Sequence, residues 1–563
     1  MYRLYVEAAP RLAVLALTVA VLGGLAGIAA PAFGWLPALG GIAVSLAPWR
    51  ELFATPGLAA MVGLSLLAGL LSAALSLAVV LAFVAAFHRT RAFAWVERSL
   101  SPILSIPHAA AAIGFAFLVA PSGLIARLVS PGLSGWQRPP DLLIVGDPWG
   151  LAMIAGLVVK EVAFLLLMTL AVLPQAGVRE ALPVARMLGY RPVAAFAKVV
   201  LPRLYPLLRL PLYAVIAYAS STVEVALILG PSTPPPLAVA ILRWMNDPDL
   251  QMRFSASAAA LLQVGVTFTA LALWRLAEVA TARLARGWLT GGGRGACDRV
   301  VAAVGAGGIA FTLAAAAGGL VALALWSVAG FWRFPEALPG AWSSRAWWMV
   351  AGAPEHVTNA ALVGLAATLA AVLLVVGALE HETRRGRKAG RAARLVLYLP
   401  LLVPAVAFLF GLVLLAERAG LGPGLALVVA GHLVFVLPYV HLALAEAYRR
   451  LDPRWSAVAR ALGASPGRAF FTVRLPLLSR AVLTAAAVGF AVSIGQYLPT
   501  QLLGAGRVPT ITTEAVALAA GGDRRLAAAY GLTQSVLPFA GFWLAYGVPR
   551  LVFRRRRGMG TGP

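Results

Sequence analysis

Two adjacent ionisable residues, Lys160 and Glu161, interrupt the apolar run "AGLVVKEVAFLLL". At membrane depth such side chains are costly, so each must find a partner on another helix or face a polar path. Neighbours on a helix point about 100° apart, so the two do not neutralise each other directly. A second polar set, Ser220, Ser221, Thr222 and Glu224, lies in "ASSTVEVALILG", and a third, Ser493, Gln496, Tyr497, Thr500 and Gln501, in "VSIGQYLPTQLLG". Hydroxyls, amides and carboxylates in these settings suit two uses: hydrogen bonds between helices, or a polar path at the interface of two repeats. Covalent chemistry is not indicated. No nucleophile triad or metal-ligand cluster stands out among six scattered histidines, and His108 and His432, both within apolar runs, read as helix-packing polar residues. None of the lysines Lys160, Lys198 and Lys388 completes a G-x-x-x-x-G-K-[ST] loop, so the chain is not its own ATPase of that type.

The elements that position these residues follow from composition. Of 563 residues 61% are hydrophobic and 12% charged, with a mean hydropathy of +0.87. Apolar runs repeatedly exceed the roughly 20 residues that cross a bilayer as a helix, which predicts an all-α polytopic membrane protein. Twelve spans are expected near 11–33, 57–87, 101–128, 149–174, 205–230, 255–274, 300–330, 357–379, 395–416, 422–446, 481–504 and 527–549. The formal charge of +25 does not indicate nucleic acid, because the basic residues sit in short clusters between apolar runs. With the N-terminus cytoplasmic, and with Arg11, Arg127 and Arg209 near span ends counted with the adjoining segments, inside segments hold 34 Lys and Arg and outside loops 11, with Lys160 inside a span. Both termini are therefore expected in the cytoplasm, with Arg554 to Arg557 as a final anchor. The first apolar run is longer than a signal-peptide core and reads as an uncleaved helix. The single cysteine, Cys297, excludes an intrachain disulfide and falls in the Gly-rich, basic segment "GWLTGGGRGACDR", which reads as a cytoplasmic linker.

A long-range repeat divides the chain. Val184 to Leu204 and the stretch 274 residues later match at 12 of 21 positions without a gap, where an Ala- and Leu-rich composition gives roughly two or three by chance. Gly230 with Gly504 and Pro235 with Pro509 keep the same offset. Two six-span halves with an even number of spans share one orientation, a parallel repeat about an axis along the membrane normal. Residues 1–278 form the first half, 279–299 the linker and 300–563 the second half. Each repeated loop, near 179–204 and 451–478, reads as a helix, a bend at Gly189 or Gly463, and a second helix starting at Pro192 or Pro466. Ser465 is a good N-cap, which Arg191 is not. Val193, Phe196, Val199 and Val200, like Phe470 and Val473, give the second helix one apolar face, for a partner or for its own bundle. Leu201-Pro202 and Leu475-Pro476 are expected to break the helix before the next span.

Both loops resemble the cytoplasmic EAA loop of permease subunits from binding-protein-dependent ABC importers, which runs Glu-Ala-Ala, three residues, Gly, and later Leu-Pro. The matching positions are Ala185, Gly189, Phe196, Leu201 and Pro202, with Arg186 beside them, and Ala459, Gly463, Phe470, Leu475 and Pro476, with Arg460 beside them. The glutamate position holds Pro183 or Ala457, a departure only weakly offset by Glu180. The resemblance covers both halves and is similar to fused permeases of iron(III), thiamine and related systems. It implies that each loop docks on one protomer of an ATPase dimer, that ATP and Mg are bound by that partner and no cofactor by this chain, and that an extracytoplasmic solute-binding protein delivers the solute. It also implies the bacterial inner membrane, and a path lined by the helices carrying Ser220 to Glu224 and Ser493 to Tyr497. Iron, thiamine, polyamine or another solute all remain open. A secondary transporter of twelve spans is the alternative, with Glu161 or Glu224 as its ion-coupling carboxylate.

Overall fold

The computed structural model describes residues 2–295 and 297–552; the expected anchor Arg554 to Arg557 lies outside the described residues. Among these residues there are helices and two isolated β-bridges but no strand. Ten helices are long and apolar enough to cross a membrane, or eleven if the bent pair Arg391–Leu402 and Ala405–Arg418 counts as one span. The counterpart of the expected twelfth span, Arg524–Val552, is not among them, although its 29 residues reach about 43 Å at 1.5 Å per residue.

The helices that matter here form two matching series. In the first half they are α1 (Tyr2–Ala32), α2 (Leu58–Phe87), α3 (Arg91–Ser105), α4 (His108–Val119), α5 (Leu151–Val172), α6 (Val178–Met187), α7 (Pro192–Ser221), α8 (Glu224–Leu229) and α9 (Met252–Thr290). In the second they are α10 (Asp298–Ser327), α11 (Pro354–Arg385), α12 (Arg391–Leu402), α13 (Ala405–Arg418), α14 (Leu425–Arg450), α15 (Arg454–Ala461), α16 (Pro466–Ile494), α17 (Leu498–Gly504) and α18 (Arg524–Val552). Each helix of the first series thus has its counterpart nine places later.

The halves exchange their first helices. Helix α1 packs on α11 and α13 of the second half, and α10 packs on α2 and α4 of the first. Both exchanged contacts are closed by facing glycines. A Cβ at Gly411 would overlap the Gly24 carbonyl, and a Cβ at Gly114 would sit 2.9 Å from the Gly319 carbonyl oxygen. In hydrocarbon, where burial gives no drive between helices, such small-residue contacts let backbones approach and gain dispersion energy.

Three expectations need correction. The predicted linker 279–299 is largely helix: α9 continues to Thr290, α10 begins at Asp298, and only Gly291 to Cys297 connects them. Ala, Leu and Arg in "TARLARGWL" favour helix, and the glycines at 291–293 end it. Leu201-Pro202 and Leu475-Pro476 do not break the chain. A five-residue π turn, Phe196–Val200 or Phe470–Arg474, carries each second loop helix without interruption into the span. Proline cannot donate to the carbonyl four residues back and its ring collides with it; the wider turn displaces that carbonyl instead of ending the helix. The breaks fall deeper. Helix α7 stops at Thr222 and α8 restarts at Glu224, while α16 stops at Gly495 and α17 restarts at Leu498. Further breaks at Ile106-Pro107 and Val403-Pro404 separate α3 from α4 and α12 from α13, the latter pair bent by 100°. Ile106 and Val403, each before a proline that disfavours the helical conformation, are extended here, and the helices end at them.

Candidate functional site

The two loops are built alike. Gly189 and Gly463 have φ of +83° and +85°, the left-handed conformation that reverses the chain between α6 and α7 and between α15 and α16. Ser465 caps α16 by accepting from the Arg468 amide at 3.3 Å. Arg191 cannot do this, and the missing cap is supplied by another helix: Asp298, at the start of α10, accepts from the Val193 amide at 3.0 Å. At the second loop the corresponding visitor is Tyr2 of α1, whose ring lies 5.4 Å from Phe470 and whose hydroxyl donates to Glu380 at 2.9 Å. Tyr448 donates to the other Glu380 oxygen at 2.6 Å, and Arg474 stands 3.5 Å away. Each loop is therefore held by the first helix of the opposite half.

The apolar face of the second loop helix turns inward, with Phe196 and Phe470 buried. Ala185 is buried, Ala459 half-buried, and Arg186 and Arg460 exposed; Leu201, Leu475 and Pro476 are half-buried and Pro202 exposed. What faces outward is a pair one turn apart on the first loop helix, Val184 with Leu188 and, at the same offset of 274, Val458 with Leu462. Their exposure is 58 and 61% in one copy, 57 and 82% in the other. These four residues were not singled out from sequence, although their identity in the two copies was the signal that would have found them.

Within the bundle the two ionisable neighbours separate. The Lys160 ammonium donates to the carbonyls of Ile103 at 3.0 Å and Ile106 at 2.6 Å, at the α3–α4 break. The Ile103 carbonyl accepts from the Ile106 amide at 3.3 Å but lacks the amide of residue 107 that a continuing helix would supply, since Pro107 has none, and Lys160 takes that place. Glu161, on another face of α5, has its carboxylate 3.8 Å from the His108 imidazole. The His108 ring is 4.8 Å from that of Tyr218, and the Tyr218 hydroxyl donates to Glu224 at 2.8 Å. Glu161, His108, Tyr218 and Glu224 thus form one constellation, assembled from α5, α4, α7 and α8.

The remaining polar candidates pair inside their own halves. Ser220 shares a 3.0 Å hydrogen bond with Thr267 of α9, and Ser221 donates to the Ala217 carbonyl. Thr222, buried, is the residue at which α7 ends. In the second half, His432 of α14 bridges the α16–α17 break, 2.7 Å from Ser493 and 2.8 Å from Thr500. Tyr497 is buried, and Gln496 and Gln501 are half-buried at that break. The break lies beside the α3–α4 break of the first half, since a Cβ at Gly495 would be 3.7 Å from Pro107. Among the described residues no group of three His, Cys, Asp or Glu is placed to hold a metal ion.

Comparison with known proteins decides among transporter classes. Residues 357–554 match the family described as the binding-protein-dependent transport system inner membrane component. Over 521 residues the chain is 32% identical to the inner membrane ABC transporter permease protein YnjC of Escherichia coli (strain K12), covering 92% of this chain and 93% of that protein. The chain belongs to the binding-protein-dependent ABC permeases. Shorter similarities join it to the molybdenum transport system permease protein ModB of Mycobacterium bovis, 34% identical over 145 residues, which is 23% of this chain and 54% of ModB. A further one is to the spermidine/putrescine permease PotC homolog of Mycoplasma genitalium, 33% identical over 91 residues, 16% of this chain and 32% of the homolog. A permease of this family is an inner-membrane transport subunit, and the gradient-driven alternative is set aside.

Proposed function

We propose that this permease carries a complete solute path in one chain and presents its two loops to two protomers of an ATPase dimer, which binds the ATP and Mg. The observation that supports this is the paired exposure of Val184/Leu188 and Val458/Leu462. Apolar side chains left in water at equivalent points of two halves are two copies of one docking surface, and a twofold partner is what matches them. The π turn makes the second loop helix continuous with a span, α7 or α16, so a displacement passed on from α6 or α15 across the Gly189 or Gly463 bend would run along one element to the breaks at Thr222 and Gly495. Drawing the two loops together or apart would rock the halves around the central constellation. The charge distribution supports loops and both termini on the cytoplasmic side, with an extracytoplasmic binding protein delivering solute to the opposite face. Tagging the chain, extracting it in mild detergent and counting what co-purifies tests the reading. An ATPase at about two copies per chain is expected; the chain recovered alone, even after crosslinking, would overturn it.

A further inference from the structure

The constellation at the breaks has a definite electrostatic character. Glu161 lies ten residues into α5, about 15 Å along a span of about 33 Å, and its side chain is 5% exposed. No hydrogen bond to its carboxylate is made among the described residues, and the His108 imidazole stands 3.8 Å from it. His108, at the same depth, keeps 39% side-chain exposure, and Tyr218, Glu224 and Tyr439 keep part of theirs. A carboxylate held inside the bundle without a hydrogen-bond donor, beside partly exposed groups, leaves a negative charge that a cation reaching these groups would satisfy. The second half contributes Tyr439 of α14 and Tyr497, just before α17, which feel the charges of Glu161 and Glu224 respectively. Among the described residues, the basic neighbour of Glu161 in the chain, Lys160, is turned to the Ile103 and Ile106 carbonyls.

We infer that Glu161, His108, Tyr218 and Glu224, with Tyr439 and Tyr497, form a subsite for an organic ammonium or amine cation on the solute path, an inference that rests on the importer reading above. Two carboxylates in a low-dielectric surrounding attract a positive charge far more strongly than water-exposed ones, and tyrosine faces add cation–π attraction suited to ammonium groups. An oxyanion would meet two like charges with no free guanidinium or ammonium to offset them. A bare metal ion would find no set of three His, Cys, Asp or Glu ligands among the described residues. The two halves differ here, because the positions 274 residues after Glu161 and Glu224 hold Phe435 and Leu498, so both carboxylates come from the first half.

The experiment uses the full chain with Cys297→Ser, which removes the exposed native thiol, and His108→Cys, which places a thiol beside Glu161. Its reaction rates with cationic 2-(trimethylammonium)ethyl methanethiosulfonate and anionic 2-sulfonatoethyl methanethiosulfonate are each divided by the rate with a free thiol. The cationic reagent is expected to be favoured by at least about tenfold, as fields focused in a low-dielectric cleft produce. That preference should collapse towards one with Glu161→Gln and Glu224→Gln together. Should the double variant fail to fold, raising the salt from about 0.1 M to about 1 M with both glutamates present should shrink the preference, since screening shortens from about 10 Å to about 3 Å. Equal rates, an anionic preference, a preference indifferent to both salt and neutralisation, or no reaction would each overturn the subsite. ATPase co-purification from the same preparation separates the failures: ATPase present with equal rates sinks only the cation subsite, whereas its absence sinks the importer assembly.

Discussion

Lys160 and Glu161 are consecutive in the chain but turn to different partners in the structure: one closes a helix end, the other stands beside His108. The sequence could show that neither belonged in hydrocarbon, but only the position of Pro107 decided which was structural. Gly463 is simpler, since its φ of +85° is set by the turn itself and a Cβ there meets nothing within 4 Å. Gly463→Val should therefore cost only backbone strain, about 1–2 kcal/mol, misplacing the α15–α16 bend. ATP-coupled uptake should fall strongly while membrane insertion persists, and Gly463→Asn, which tolerates the left-handed conformation, should recover much of it. Equal uptake by the valine variant would show that the bend is not part of coupling. His88, just beyond α2, has both ring nitrogens enclosed without partners. Burial, helped by Arg89 and Arg186, pushes its imidazole below the usual value. The folded chain then holds His88 neutral where the unfolded chain protonates it, so its contribution is intact above about pH 6.5 and is lost as pH falls below that. Thermal melts of His88→Phe should lose less stability than wild type between about pH 6.5 and 5; parallel curves would exclude His88 as a source of the acid sensitivity.

At the scale of elements, the two loop helices divide their labour in a way that periodicity alone left open. The Phe196 and Phe470 faces anchor to the protein's own bundle, leaving Val184/Leu188 and Val458/Leu462 outward on the preceding helices. Replacing Val458 and Leu462 together by Asp should change the stability of the isolated chain by less than about 0.5 kcal/mol, because exposed positions away from special features tolerate substitution. The same change should sharply reduce the ATPase recovered with the tagged chain, a loss that quantitative mass spectrometry reads directly. Full recovery of ATPase with both aspartates would place the docking surface elsewhere. The π turns Phe196–Val200 and Phe470–Arg474 were not legible in advance, since Leu-Pro in isolation predicts an end. Only an element that must run on into a span has reason to widen instead.

The whole molecule is two halves laced through each other. With α1 on α11 and α13, and α10 on α2 and α4, most of the interface between halves is independent of the covalent connection. A protease site inserted between Gly292 and Gly293, where an added Cβ meets nothing within 4 Å, should give two fragments that still co-elute in mild detergent. Separation of the fragments on size exclusion would show that the connection, rather than the exchange, holds the halves together. The connection has a local task of its own: the Arg294 carbonyl accepts from the Arg191 amide at 3.0 Å, and Lys198 donates to the Gly291 carbonyl. Fusion therefore makes the first loop rest partly on the linker, whereas the second rests on Tyr2.

What the linear chain determined by itself was whatever depends on composition, period and repetition: apolar helices sized to a bilayer, two parallel halves, and two loops bent at Gly189 and Gly463. Those features are local or self-similar, so hydropathy, φ-permissive residues and an offset of 274 are enough to reveal them. The tertiary structure alone decided which helices were exchanged between halves, that Asp298 would cap a helix 105 residues away, and that Glu161 and Glu224 would be joined through His108 and Tyr218. Each of these depends on how elements distant in sequence meet around broken helices. Where a polar side chain points there is set by which carbonyl or ring the partner helix presents, a choice that no window along one chain contains.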